Sequence, residues 1–425
     1  MDDKKEVTQR RWVGIDWGKS RHAVAVVDDE QQVLARFMVG ASLAELRHLG
    51  ERLRGFSPVG GIAIESTPNP VVCFLQSEGF TVYPVNPKLS KHWREGNSVA
   101  GSKSDARDGL VLATELARRY RSLRVLHSLP IEVAELAGLC QKISRMVGQR
   151  TALVLGLEAS LISYYPAALC FFSDWTSPVA WRFLKRFPTP QDLACARKDT
   201  LIRFLRANRV GLKPVWLERI ERRKEAADWP QPENSFALQV STAALVAQLQ
   251  ALEPQIRKCQ KLINERAKDH PRARLLRSLP GAGECLAPAL AAMTLLVDEE
   301  PDRFHATRCQ SGVAPIQCET GKAKPAKIRR RCNKYWRCVM HKFAACSTRY
   351  CPWAKAYHDL CRERGDGYAT ALRKLGDKWL HIINRMIEED QPYDNARYVE
   401  ALRRSASPVY QKLGGEVRGK LPQKT

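Results

Sequence analysis

The sequence predicts an α/β domain at the N-terminus, a helical middle region and a mainly α-helical C-terminal domain. Three observations support this order. Short strand-like runs occur before residue 125, two long stripes of apolar residues at heptad spacing follow, and a glycine-rich turn precedes an apolar helix near residue 283. We therefore expect domains at residues 1–125, 126–271 and 272–407, and a basic, disordered tail at residues 408–425.

The N-terminal region has the element order of an RNase H-like fold. A turn-like segment at residues 28–30 joins the second and third strands, so the first three strands should pair as antiparallel hairpins. Ser42 and Glu45 have the spacing of a capping box, which predicts a helix start. The predicted strands cover residues 12–17, 23–27, 33–39, 61–65 and 81–85, and the predicted helices cover residues 42–53, 71–78 and 105–120.

Four acidic residues stand where such a sheet would gather them. Asp16 lies in the first strand, Glu65 ends the fourth, and Asp105 and Asp108 share one face of a helix. Two unit charges about 4 Å apart repel by roughly 4 kcal/mol at an effective dielectric near 20. Divalent cations remove this repulsion, and carboxylate oxygens suit Mg²⁺. The four residues therefore predict a catalytic site that binds one or two Mg²⁺ ions for phosphoryl transfer.

Two apolar stripes in the middle region have coiled-coil spacing. They predict either an antiparallel hairpin or a coiled coil between two subunits. Pro254 lies in the second stripe and should kink its helix or mark where the helix begins. The stripes are Val133, Leu136, Cys140, Ile143, Val147, Val154, Leu157 and Leu161, and Leu245, Leu249, Leu252, Ile256, Cys259 and Ile263.

Two further segments combine basic and aromatic residues. Residues 170–235 should form short helices, which either touch phosphate or only cap the helical region. Residues 321–342 contain nine Lys and Arg and no acid, a pattern typical of nucleic-acid backbone binding with base stacking. With the turn at residues 279–283, which resembles a helix-hairpin-helix, these give the predicted nucleic-acid contacts Gly281, Gly283, Lys322, Lys324, Lys327, Arg329, Arg330, Arg331, Lys334, Trp336 and Arg337.

The charge balance indicates a polyanionic partner. The 425 residues include 69 Lys and Arg against 45 Asp and Glu, for a net charge of +24, and nucleic acid is the commonest partner of such a protein. The N-terminus has no signal-peptide core, and the apolar run at residues 286–297 is too short to span a bilayer. We expect a cytoplasmic protein without a membrane partner, whose 13 cysteines are reduced thiols rather than disulfides or zinc ligands.

Several motifs along the whole chain resemble the DEDD transposases of the insertion sequence 110 family, relatives of the pilin-gene invertases. Motifs in both halves occur in the family's order and spacing, so the resemblance is specific. They are GID at 14–16, EST at 65–67, VNP at 85–87, KSDARD at 103–108, LPGAG at 279–283, GVAP at 312–315, ETGK at 319–322, RRCN at 330–333, WAKAY at 353–357 and PYD at 392–394.

The resemblance implies a specific activity and specific partners. It implies a bacterial recombinase whose N-terminal domain is RuvC-like and whose acidic tetrad binds Mg²⁺. A coiled coil would link this domain to the transposase domain in a homo-oligomer, from dimer to tetramer. The family joins donor DNA to target DNA under the direction of a structured bridge RNA, so the basic segments would hold RNA as well as DNA.

One residue departs from the family pattern. Thr320 stands where the family has its nucleophilic serine. Threonine retains a hydroxyl, but its methyl group crowds an in-line attack. Either Thr320 is the nucleophile, or this copy is impaired.

Two other functions fit part of the sequence. A RuvC-like structure-specific endonuclease would need only the four acids and would leave the C-terminal motifs unexplained. A catalytically decayed transposase would bind nucleic acid through its basic segments without cleaving it.

Overall fold

A computed structural model describes residues 9–65, 69–96, 105–317 and 326–417 of the chain. The chain divides into two compact units, residues 1–128 and 129–425. The first contains the mixed sheet. The second is almost entirely helical and includes both the middle region and the C-terminal region, which the sequence predicts as separate domains.

A five-stranded sheet forms the centre of the N-terminal unit. Its strand order is β3-β2-β1-β4-β5. β1 and β3 pair antiparallel with β2, whereas β4 runs parallel to both β1 and β5. This arrangement confirms the predicted antiparallel hairpins. The strands are β1 (Arg11–Trp17), β2 (Arg21–Val27), β3 (Val33–Gly40), β4 (Val59–Glu65) and β5 (Val82–Val85).

Helices cover both faces of this sheet. The first two helices of the unit pack on one face, which carries Val13, Ile15 and Ile62. The next two helices pack on the opposite face, which carries Trp12 and Ala63. Ser42 accepts a hydrogen bond from the Glu45 amide, as the capping box predicts. The helices are α1 (Leu43–Arg54), α2 (Pro70–Ser77), α3 (Pro87–Gly96) and α4 (Asp105–Arg119), followed by a 3₁₀ turn at Tyr120–Ser122. The sequence did not predict α3.

Two 34-residue helices form an antiparallel hairpin in the second unit. Along the first helix, Glu135 forms an ion pair with Arg266, Arg150 with Glu253, and Gly156 lies against Leu245. The partner's number falls as the residue number rises, so the helices run in opposite directions within one chain. The helices of this part are α5 (Ile131–Tyr164), α6 (Pro166–Phe171), α7 (Pro178–Arg186), α8 (Pro190–Cys195), α9 (Lys198–Ala207), α10 (Pro214–Glu221), a 3₁₀ helix (Arg222–Asp228) and α11 (Ser235–Lys268).

A buried ion-pair network fixes the middle of the hairpin. Glu253 is 9% exposed and accepts hydrogen bonds from Arg150 and Arg257. Burial of this carboxyl tends to raise its pKa, but the two guanidinium groups hold the pKa of Glu253 below its ordinary value. Pro254 does not mark the start of the helix, because α11 begins at Ser235 and continues through it.

The short helices between α5 and α11 enclose an aromatic core. Trp175, Trp181, Phe183 and Phe187 are buried together against the end of the hairpin. Residues 170–235 form short helices, as predicted, and these aromatic side chains are not available to stack on bases. Arg182, Lys185 and Arg186 of this segment are exposed, and their contact with phosphate stays a prediction.

The C-terminal region builds a separate core around three fully buried tryptophans, Trp336, Trp353 and Trp379. The other end of the hairpin joins it through Leu136 and Ile263. Its elements are α12 (Pro271–Arg277), α13 (Gly283–Leu295), α14 (Arg303–Gln310), β6 (Ile316–Gln317), β7 (Ala326–Lys327), α15 (Lys334–Tyr350), α16 (Pro352–Glu363), α17 (Tyr368–Glu389), α18 (Asn395–Arg404) and α19 (Pro408–Val417).

The start of the tail is ordered, contrary to the prediction. Residues 408–417 form α19, and Val409 and Leu413 are buried in the C-terminal core. Apolar residues four apart share one helical face, which gives this segment a surface to bury.

By length and composition alone, α11 could also cross a membrane. One such helix is weak evidence for a membrane span, because a core helix of a soluble protein passes the same test.

Candidate functional site

Asp16 and Glu65 lie on adjacent strands at the same end of the sheet. β1 pairs with β4 through Ile15 and Ile64, and the two acids follow this pair by one residue each. Side chains alternate between the faces of a strand, so Asp16 shares a face with Trp12, and Glu65 shares it with Ala63. Both carboxylates are therefore on the face that α3 and α4 cover.

Two glycines bring α4 close to this end of the sheet. A Cβ atom on Gly14 would lie 2.1 Å from the carbonyl oxygen of Gly109 and 2.4 Å from the amide nitrogen of Ala113. A Cβ atom on Gly109 would lie 3.0 Å from the carbonyl oxygen of Ala23, the residue that pairs with Asp16. Only glycine permits this approach, which sets the first turn of α4 beside the end of β1.

That first turn carries the other two acids. Asp105 begins α4 and is exposed, whereas Asp108 is 3% exposed. Its Oδ2 accepts a hydrogen bond from Nη1 of Arg94 at 2.6 Å, and its Oδ1 is buried without a partner. A buried carboxylate oxygen without a donor is costly, and such atoms often mark functional sites.

Helix α3 contributes two polar side chains to the same place. Ser90 is buried, and its Oγ donates to Oε2 of Glu65 at 3.4 Å. Arg94 lies one turn further along and pairs with Asp108. Neither residue was predicted from the sequence. Their spacing of four on a helix was the available signal.

Within the described ranges, no three His, Cys, Asp or Glu side chains converge closely enough to hold a metal ion. The four carboxylates are thus near one end of the sheet but are not gathered around one point. Arg94 is a physical reason for this, because it holds the Asp108 carboxylate. The donor set still suits Mg²⁺, since it consists of hard oxygen ligands and includes a buried oxygen without a partner.

The predicted basic segment is only partly described. Thr320, Gly321, Lys322 and Lys324 lie outside the described residues. Four of the basic residues that follow are open to solvent. Lys327, Arg330, Arg331 and Lys334 are exposed, and Arg329 is half-buried and donates to the Ala314 carbonyl oxygen.

Two residues of this segment serve the fold instead. Trp336 is fully buried in the C-terminal core, so its prediction as a nucleic-acid contact is wrong. It occupies the apolar face of α15 with Val339, Met340 and Phe343. Arg337 is half-buried and donates to the carbonyl oxygen of Arg329, which holds the segment before α15 in place.

The glycine-rich turn joins α12 to α13 as the sequence predicts. Gly281 and Gly283 have φ values of +81° and +52°, which favour glycine. Gly281 packs closely on Cys346 of α15, whereas Gly283 is exposed at the start of α13. Every cysteine in the described part of the chain is a free thiol, as expected.

Comparison with known proteins identifies the family. Residues 13–166 match the sequence model of the DEDD transposases of IS110, and residues 273–359 match that of the IS116/IS110/IS902 transposase family. Together the two matches cover more than half of the chain. The chain belongs to the IS110 family of transposases. The first match contains all four acids, and the second contains the glycine turn and the basic segment.

Curated relatives extend this similarity along the chain. The mini-circle putative transposase for IS117 of Streptomyces coelicolor is 28% identical over 93% of this chain and 98% of its own length. The 42 kDa protein of insertion element IS900 of Mycobacterium paratuberculosis is 24% identical over 92% of this chain and 98% of its own. A putative transposase of Sinorhizobium fredii is 29% identical over 47% of this chain and 57% of its own.

Proposed function

We propose that this IS110-family transposase cleaves and rejoins donor and target DNA at a magnesium-dependent site on an RNase H-like, RuvC-like domain. One observation carries the proposal. Asp16 and Glu65 lie at the same end of adjacent strands, on the face where α4 begins with Asp105 and Asp108. The strand order β3-β2-β1-β4-β5, with β2 antiparallel to both of its neighbours, is the order expected of an RNase H-like sheet.

Asp16, Glu65, Asp105 and Asp108 would hold one or two Mg²⁺ ions. Bound magnesium would activate an attacking oxygen and stabilise the leaving one in phosphoryl transfer. Other residues of the chain position these carboxylates. Gly14 and Gly109 set α4 against β1, and Ser90 holds the Glu65 carboxylate through its hydroxyl.

Thr320 is the proposed nucleophile. Its hydroxyl oxygen would attack a DNA phosphodiester, form a threonine–phosphate ester and release a DNA hydroxyl, which takes up a proton. Attack on this ester by a hydroxyl of the second DNA strand would restore Thr320 and join the strands. A neutral alcohol is a weak nucleophile, so it must be held in line and activated by the acidic site.

The proposed partners are donor DNA, target DNA and a structured guide RNA in the bacterial cytoplasm. The exposed side chains of Lys327, Arg330, Arg331 and Lys334 provide cations for the backbone of either nucleic acid. The guide RNA and an oligomer, from dimer to tetramer with a coiled-coil element, are proposed on the resemblance to the family.

Product analysis tests this function. The full chain is incubated with labelled donor DNA, target DNA, the element's non-coding transcript and Mg²⁺. Recombination yields hybrid strands in which donor sequence is joined to target sequence. Nicks that are never rejoined would favour the endonuclease, and binding without cleavage would favour a decayed transposase. Asp16→Asn should abolish the hybrid strands and leave nucleic-acid affinity in EDTA nearly unchanged, because the basic side chains lie in another unit.

A further inference from the structure

Arg94 makes a direct ion pair with one of the four acids. Its Nη1 lies 2.6 Å from Oδ2 of Asp108. The Asp108 side chain is 3% exposed, whereas that of Arg94 is 26% exposed. One end of the guanidinium is therefore in the acidic site, and the group retains access to solvent.

The surroundings of Arg94 hold it at this position. Trp93 is buried between α3 and the sheet, which anchors the helix. Ser90, one turn earlier, contacts Glu65. Lys91, by contrast, is on the exposed side of α3, where it pairs with Glu95 at 3.7 Å. Helix α3 thus directs Ser90 and Arg94 to two different acids, and Lys91 to solvent.

Arg94 holds only one oxygen of Asp108, but a divalent ion on either oxygen of this carboxylate would lie close to the guanidinium. Mg²⁺ binds carboxylate oxygens at about 2.0–2.1 Å. A cation at that distance from Oδ2 would lie beside the Arg94 guanidinium, and the like charges would repel strongly. Conversely, without an ion, loss of Arg94 would leave Asp108 as a buried carboxylate without a compensating charge.

We propose that Arg94 is a positioning residue with two successive anionic partners. It holds Asp108 while the site lacks a divalent ion. When an ion takes the carboxylate, the guanidinium turns to a phosphodiester oxygen of the DNA in the site. Arginine suits this exchange, because its planar donors match both carboxylate and phosphate. The inference rests on the proposed metal-dependent function and adds a residue that couples ion binding to DNA binding.

Titration calorimetry of the full chain with Mn²⁺ tests whether Arg94 competes with a divalent ion for Asp108. Arg94→Ala removes the competing cation, so we expect affinity for Mn²⁺ to rise about fivefold, comparable to the free energy of a partly exposed ion pair. Lys91→Ala is the matched control and should bind as the wild type does. Arg94→Lys keeps a cation, so its affinity for Mn²⁺ should remain near that of the wild type. A difference between the lysine and alanine variants then reports the charge at this position. Unchanged or weaker affinity in Arg94→Ala, with a native circular dichroism spectrum, would overturn the proposal.

DNA binding measured with and without Ca²⁺ tests whether Arg94 contacts a DNA phosphate once an ion is bound. We expect Arg94→Ala to weaken binding about fivefold in Ca²⁺, the loss of one charged phosphate contact, and to leave it unchanged in EDTA. An equal loss in both conditions would contradict the exchange. If the wild type binds no divalent ion, the proposed function itself fails. If it binds Mn²⁺ and Asp16→Asn abolishes that binding, but Arg94→Ala has no effect in either assay, only the role of Arg94 is refuted.

Discussion

Replacing Gly14 by alanine would place a methyl group inside the backbone of α4. The new Cβ would lie 2.1 Å from the Gly109 oxygen, 2.4 Å from the Ala113 nitrogen and 2.9 Å from Cβ of Leu112. Ordinary contacts need well over 3 Å, so the helix must withdraw by about 1 Å. Overpacking of this kind costs about 1–3 kcal/mol, and rigid backbone neighbours favour the upper end. About 3 kcal/mol corresponds to a fall of roughly 10 °C in the melting temperature of a domain of this size.

The effect on activity should exceed the effect on stability, because α4 carries Asp105 and Asp108. Hydrogen exchange followed by mass spectrometry resolves the N-terminal unit from the rest, so it suits a chain of two units. We expect faster exchange in β1 and α4 and a loss of strand cleavage. Gly50→Ala, in α1 of the same unit, is the matched control, since its Cβ would meet ordinary contacts at 3.4 Å. If Gly14→Ala were as stable and active as Gly50→Ala, the close packing of α4 on β1 would be refuted.

Four other substitutions test separate parts of the molecule. Trp336→Ala should destabilise the C-terminal core by about 3–5 kcal/mol in denaturant unfolding, and a change in nucleic-acid affinity without loss of stability would contradict its burial. Changing residues 329–331 together to alanine should reduce the number of counterions released on nucleic-acid binding by about two to three. This number is read from the slope of log affinity against log salt concentration, and an unchanged slope would mean that these residues do not contact phosphate. Thr320→Ala should abolish trapped protein–DNA adducts that Thr320→Ser retains, and adducts with alanine would exclude this nucleophile. Because the folded-state pKa of Glu253 is lowered, its contribution to stability is present at neutral pH and is lost as the pH falls below about 4.5. Glu253→Gln should therefore reduce the loss of unfolding free energy at acid pH, and an unaltered dependence of stability on pH would contradict the ion-pair network.

Strands and helices that bury one face could be predicted from the spacing of their apolar residues. All five strands of the N-terminal sheet were predicted within a few residues, because apolar runs bounded by turn residues set them apart. Helix α3 was missed because residues 87–96 are mostly polar, with Leu89 and Trp93 as the main apolar anchors. Its two site residues, Ser90 and Arg94, were missed with it.

The errors share a physical cause. Aromatic residues within a basic segment suggest base stacking, but the same residues recur at helical spacing. Trp336, Val339 and Phe343 are three and four apart, which is the period of a buried helix face. Composition alone cannot distinguish the two roles, whereas burial does. Likewise, the sequence placed four acids near one sheet end, but it could not show that Arg94 already neutralises one of them.

Iron-directed cleavage of the protein backbone tests the proposed metal site most directly. Fe²⁺ replaces Mg²⁺ in oxygen-ligand sites, and with ascorbate and peroxide it releases radicals that cut the nearby polypeptide. We expect cuts near residues 16, 65 and 105–108, which excess Mg²⁺ suppresses and Asp16→Asn abolishes. Cuts elsewhere, or cuts that neither Mg²⁺ nor Asp16→Asn affects, would contradict a divalent-ion site built from these four carboxylates.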